Sequence, residues 1–165
     1  MEDSYRNNIV DFALIQIDKK FTWGMKGPDE FDCPGFTSYV FFELFGIKLE
    51  KNGYGSNDIA KQMTNSIGTL RQYAELDTNK RKYLDEIKAG DLVFFNKNKK
   101  GFNDNNSTVF MQFPLYVGVF IGDNKFIYAS EDEGRVMITE IDDNWLKSLI
   151  ASRDIVSHFI LKANL

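Results

Sequence analysis

The stretch Phe21-Thr22-Trp23-Gly24-Met25-Lys26-Gly27-Pro28-Asp29-Glu30-Phe31-Asp32-Cys33-Pro34-Gly35-Phe36 decides how this chain folds. Its first half carries Gly24, Gly27, Pro28 and two Asp, which let backbone turn tightly, and it reads as a loop through Asp32. Its second half opens a helix. Pro34 costs nothing in a first turn, where an N–H would have no partner, and Phe36, Tyr39, Val40 and Leu44 recur on one face until Gly46. Cys33, the one cysteine in 165 residues, is left at or beside the N-cap. A thiol there meets unpaired backbone N–H groups and the positive end of the helix dipole, and both favour the nucleophilic thiolate. Cysteine is also a small, commonly buried apolar residue, and that reading stays open beside the first.

Working outward, Ile9, Phe12, Ala13 and Ile17 recur at helical spacing over residues 4–19, with Asp3 or Ser4 as N-cap. Short helices are expected at 57–64 and 79–85. After Lys88-Ala89-Gly90-Asp91 the pattern changes to strand-like runs at 92–95, 115–121, 125–129, 136–141 and 155–161. Gly122-Asp123-Asn124 marks a hairpin and 143–149 a short helix. Helices first and antiparallel strands afterwards predict an α+β fold. The expectation is a single domain over 1–165. It comprises an N-terminal helix (1–20), a nucleophile loop and helix (21–50), and an antiparallel sheet of about five to six strands (88–162) with an inserted loop (96–115). In that loop an Asn- and Lys-rich run precedes Val109-Phe110-Met111-Gln112-Phe113-Pro114, which fits either a contact for a protein partner or an ordinary surface loop.

Composition narrows the function classes. With 43% hydrophobic and 15% aromatic residues, the chain can bury a core without metal or disulfide. One cysteine allows no internal disulfide, one histidine allows no His/Cys zinc cluster, and no cofactor is implied. A net charge of -4, with basic residues scattered except at Lys97, Lys99 and Lys100, argues against nucleic acid. No apolar run approaches the roughly 20 residues of a membrane span. Met1-Glu2-Asp3-Ser4-Tyr5-Arg6 does not read as a signal peptide, so a cytoplasmic location is expected unless a secretion or phage-tail-like route delivers the chain to the cell wall.

Three blocks then carry a resemblance: residues 21–36 as quoted, Ile87-Lys88-Ala89-Gly90-Asp91-Leu92-Val93-Phe94-Phe95, and Tyr116-Val117-Gly118-Val119-Phe120-Ile121-Gly122 with Lys125-Phe126-Ile127-Tyr128-Ala129-Ser130. In order and spacing they resemble the NlpC-type family of cell-wall cysteine endopeptidases, papain-like enzymes of bacteria that cut peptidoglycan stem peptides beside D-glutamate. The resemblance implies that fold, with Cys33 as nucleophile. It places the family's general-base histidine on Tyr116 and the residue that orients this base on Tyr128, so Cys33, Tyr116 and Tyr128 form the expected catalytic set. Phe21, Trp23, Asp32 and Pro34 are the expected substrate-binding residues. The chain departs from the pattern at Phe21, Met25 and Pro34 as well as at both tyrosines.

A phenol stays almost wholly protonated at neutral pH and starts about 3 units from the optimum for a general base. Asp32, as an anion beside the thiol, would disfavour the thiolate unless it caps the helix instead. An ideal two-residue turn at Asp123-Asn124 would set Val119, not Tyr116, opposite Tyr128, unless a bulge intervenes. His158, within 155–161, reads as part of a buried terminal strand rather than as a relocated catalyst. Two functions follow from the resemblance. One is a degenerate homologue that binds stem peptides or muropeptides; the other is an active endopeptidase or amidase using Cys33 with a non-standard partner.

Overall fold

A computed structural model describes residues 1–52, 56–73, 79–96 and 113–163. In chain order its elements are α1 (Glu2–Ile15), β1 (Lys20–Phe21), β2 (Glu30–Phe31), α2 (Cys33–Phe45), α3 (Ser56–Asn65), β3 (Thr69–Gln72), a 3-10 helix (Lys80–Glu86), β4 (Leu92–Phe95), β5 (Tyr116–Gly122), β6 (Lys125–Ser130), β7 (Arg135–Glu140), α4 (Asp143–Lys147), β8 (Leu149–Asp154) and α5 (Val156–Ala163). Strands β4 to β7 form an antiparallel meander, each pairing with its neighbour in sequence. Asp123 and Asn124 join β5 to β6 with φ of 51° and 57°, the positive values that suit the tight turn to the right-handed twist of the strands.

Around this meander one eight-stranded sheet runs in the order β2-β1-β7-β6-β5-β4-β8-β3. The fold is α+β, as expected, with more strands than the sequence pattern predicts. The additional strands are short: β1 and β2 pair in parallel over two residues each, β1 at the boundary between the expected helix and loop and β2 within the loop, and β3 pairs with β8 over four. Two-residue ladders leave no alternating pattern for sequence analysis to find. Helix α2 lies across β5 and β6, and α1 packs on α2. The largest wholly buried side chains include Phe31, Phe36, Phe41, Phe94, Phe95 and Phe126.

The last expected strand is where local reading fails most clearly. The strand there is β8, and the run read as 155–161 is the helix α5, because Asp154 caps it. The Asp154 carboxylate accepts from the Ser157 N–H at 3.0 Å and the Ser157 hydroxyl at 2.8 Å, and the β-branched run behind it disguises this cap. His158 therefore sits half-buried on a helix rather than in a terminal strand. At the other end α1 begins at Glu2, so Asp3 lies in its first turn, and Met1 makes no side-chain cap. The loop proposed for partner contact lies mostly outside the described residues.

Arg6 ties α1 to the sheet. Its guanidinium donates to Asp91 at 2.8 Å, to Asp154 at 3.0 Å and to the Ala89 carbonyl at 3.1 Å, and it pairs with Glu2 at 3.0 Å. The start of β4, the end of β8 and the first helix thus meet on one side chain.

Candidate active site

Asp32 is the N-cap of α2, and Cys33 is the first helical residue. Asp32 Oδ1 accepts from the Gly35 N–H at 2.8 Å, satisfying one of the orphan donors of the first turn. Its other oxygen accepts from the Gly24 N–H at 3.0 Å, which binds the glycine loop to the same helix end. Lys51 Nζ approaches that oxygen at 3.2 Å and Asp58 at 3.5 Å, and all three side chains are buried. Burial pushes the Asp32 carboxyl upward, while the Gly35 N–H and Lys51 pull it down. Asp32 therefore takes the capping role that the sequence left as an alternative. Gly35 has to be glycine, because a Cβ there would run into the Met25 carbonyl. Gln62 completes the support by donating to the Pro34 carbonyl at 3.0 Å and accepting from the Thr37 hydroxyl at 2.6 Å.

The Cys33 sulfur rests against β5 and is 8% exposed. It donates to the Val117 carbonyl at 3.2 Å and accepts from the Val117 N–H at 3.3 Å. These two hydrogen bonds go to one peptide position of the sheet.

A register shift between Phe120 and Gly122 corrects the expected pairing: Val119 faces Ile127, not Tyr128. Gly118 then comes level with Tyr128, and a Cβ on it would lie 2.6 Å from the Ile127 carbonyl and 3.1 Å from the Tyr128 Cβ. Tyr116, two residues further along, shares a face with Tyr128 as its diagonal neighbour. Their ring centroids are 6.0 Å apart and nearly perpendicular. Trp145, from α4, stands edge-on to both at 5.2 and 5.5 Å.

Burial pushes the Tyr116 phenol far above the ordinary tyrosine value, and the carboxylates of Asp132 and Glu131 add to the effect. Burial also raises Tyr128, with the hydroxyls of Ser130 and Thr139 pulling the other way. Negative charge on Cys33 opposes ionisation of both phenols, which places the sulfur and the tyrosines in one electrostatic unit. Tyr116, Tyr128, Ser130, Asp132, Glu133, Met137, Thr139 and Trp145 line a cavity of about 270 Å³. A larger hollow of about 790 Å³ lies along the Tyr39 and Phe42 side of α2, and none of Cys33, Tyr116 or Tyr128 lines it.

The structure therefore brings Cys33, Tyr116 and Tyr128 together. Phe21 and Trp23 lie in β1 and the glycine loop with their rings 5.3 Å apart, and Trp23 is 47% exposed. Asp32 and Pro34 are buried in the frame behind the thiol. His158 lies on α5, whose Phe159 packs on Tyr5 of α1. Sequence reasoning missed Trp145, Lys51 and the acidic turn after β6. Of these, Trp145 left a signal as a large aromatic in the short helix read at 143–149, and the turn left one as the run Glu131-Asp132-Glu133-Gly134, whereas Lys51 left none.

The sequence matches the NlpC/P60 family over residues 18–154, and the chain belongs to that family. Murein DD-endopeptidase MepH of Escherichia coli strain K12 is 27% identical over 146 residues, covering 87% of this chain and 44% of that protein. A probable endopeptidase p60 of Listeria grayi is 33% identical over 139 residues, covering 84% and 20%. The chain thus spans less than half the length of either relative. Among solved structures, the NlpC/p60 domain of the peptidoglycan hydrolase SagA aligns with a TM-score of 0.60 at 23% identity, over 90% of this chain and 97% of that one. RipD of Mycobacterium tuberculosis, a non-catalytic NlpC/p60 domain protein adapted to peptidoglycan binding, aligns with a TM-score of 0.55 at 14% identity, over 88% and 94%. These likenesses agree with the α+β architecture described above.

Proposed function

We propose that this chain is a peptidoglycan-binding NlpC/P60 domain that engages stem peptides or muropeptides without cleaving them through Cys33. The observation that carries the reading is the pair of buried tyrosines beside the thiol. A general base must accept a proton near neutral pH, and phenols pushed above their ordinary value hold theirs instead. The thiol proton points at the Val117 carbonyl, which cannot take it away. Neutral phenols can still donate to a ligand carbonyl, and Trp23 offers an exposed ring for apolar contact beside the helix end. The role stated for RipD, binding without catalysis, is of the same kind.

The test combines sedimentation with insoluble peptidoglycan and mass spectrometry of muropeptide digests. Wild type and Cys33→Ala should co-sediment equally and yield no new fragments. Fragments produced by wild type and lost in Cys33→Ala would overturn the reading in favour of an active cysteine peptidase with a non-standard partner.

A further inference from the structure

The cavity beside the tyrosines has walls and a rim of different character. Tyr116, Tyr128 and Trp145, each under 10% exposed, present aromatic surface to it, and Met137 completes the apolar side. Asp132 and Glu133 line it from the exposed turn between β6 and β7. That turn is held in place, with the Glu133 N–H donating to the Ser130 hydroxyl at 3.1 Å and the Gly134 N–H to the Ser130 carbonyl at 2.9 Å. Arg135, the next cation along the chain, is engaged by Asp18 at 2.8 Å on the other side of the turn. The field of the turn reaches the cavity, since Asp132 and Glu131 both oppose ionisation of Tyr116. Carboxylates repel an anionic ligand, whereas both carboxylates and aromatic faces attract a cation. A volume of about 270 Å³ holds a small charged group and a few methylenes rather than a whole peptide.

We propose that this cavity binds the ammonium end of an alkylamine, borne by a peptide or by a free diamine, with Asp132 and Glu133 as counter-charges and Tyr116, Tyr128 and Trp145 as walls. The inference deepens the proposed function and rests on it in one respect: the tyrosines act as neutral walls rather than as proton acceptors.

Calorimetric titration tests it with three probes: Nα-acetyl-lysine amide, its Nα,Nε-diacetyl analogue and cadaverine. The two amines should bind saturably, and more weakly at high salt. The diacetyl analogue, whose ammonium is replaced by a neutral acetamide, should bind at least about tenfold more weakly. Tighter binding of the lysine derivative assigns the amine to a peptide, and tighter binding of cadaverine to a free diamine; both support the inference. Asp132→Asn combined with Glu133→Gln should weaken amine binding about tenfold or more, while Glu140→Gln, on the exposed end of β7, should leave it unchanged. Thermal melts of each variant control for folding.

Equal affinity for the diacetyl analogue, unchanged affinity in the double variant, or no binding of either amine would overturn the inference. Peptidoglycan sedimentation by the same proteins separates the two readings. Sedimentation without amine binding refutes the cation site alone, and amine binding by a protein that cleaves muropeptides refutes only the proposed lack of turnover.

Discussion

At the scale of single residues, the site turns on what stands beside one thiol. Cys33 was legible from sequence because glycine, proline and a following apolar stripe punctuate a loop-to-helix boundary, and those are local signals. Its hold on the sheet was not legible, because these two hydrogen bonds go to the backbone of Val117, 84 residues away, and any residue except proline supplies the same groups. That hold predicts slow chemistry: iodoacetamide should label folded Cys33 at least about tenfold more slowly than the same protein in denaturant, and equal rates would contradict the hold. The tyrosines were found through resemblance, and the turn arithmetic failed because a bulge cannot be counted from composition. If the missing base is what abolishes turnover, replacing both Tyr116→His and Tyr128→His should produce Cys33-dependent muropeptide fragments that wild type does not yield. Mass spectrometry of digests reads that gain, and a variant as inactive as wild type would show that more than the base has been lost.

At the scale of elements, α2 owes its position to Asp32, which caps the helix, holds the glycine loop and faces the buried Lys51. Asp32→Ala removes all three and leaves the buried Lys51 with Asp58 but one counter-charge fewer, so it should cost about 2 kcal/mol or more in urea unfolding. Asp32→Asn keeps an oxygen for the Gly35 N–H and should cost clearly less; equal losses would mean that the charge facing Lys51, and not the cap oxygen, carries the effect. Long, strongly patterned elements such as α2 and the β4 to β7 meander could be read from sequence, since burial writes its period into them. The run at 155–161 could not. Its composition favours strand, and one carboxylate at Asp154 turns it into a helix that packs on α1.

At the scale of the whole molecule, the Arg6 junction sets an acid-sensitive balance. One guanidinium serves two largely buried carboxylates, so their charges are not fully matched. Burial pushes Asp91 up to about 6, against the Lys88 N–H and Arg6. Asp154 is held below its ordinary value because the Ser157 N–H and hydroxyl, with Arg6, outweigh its burial. A carboxyl raised in the folded state contributes stability that is fully present below its unfolded pKa near 4 and is lost as pH rises through about 6. Asp154 works in the opposite sense, losing its contribution as pH falls. Wild type should therefore lose ground relative to Asp91→Asn between pH 4 and pH 7, measured by urea unfolding at each pH. A difference that does not change with pH would refute the assignment.

None of this junction could be read from sequence, since it joins residues 6, 91 and 154 only after the sheet has closed. The same long-range folding carries Trp145 to the wall of the cavity, while Trp23 stays near the surface. Light absorbed by Tyr116 or Tyr128 needs to cross only 5.2 or 5.5 Å to reach the Trp145 indole. The molecule therefore carries its own optical gauge: tyrosine-excited emission from Trp145 tracks the arrangement of those rings, and quenchers that reach exposed Trp23 leave that signal standing.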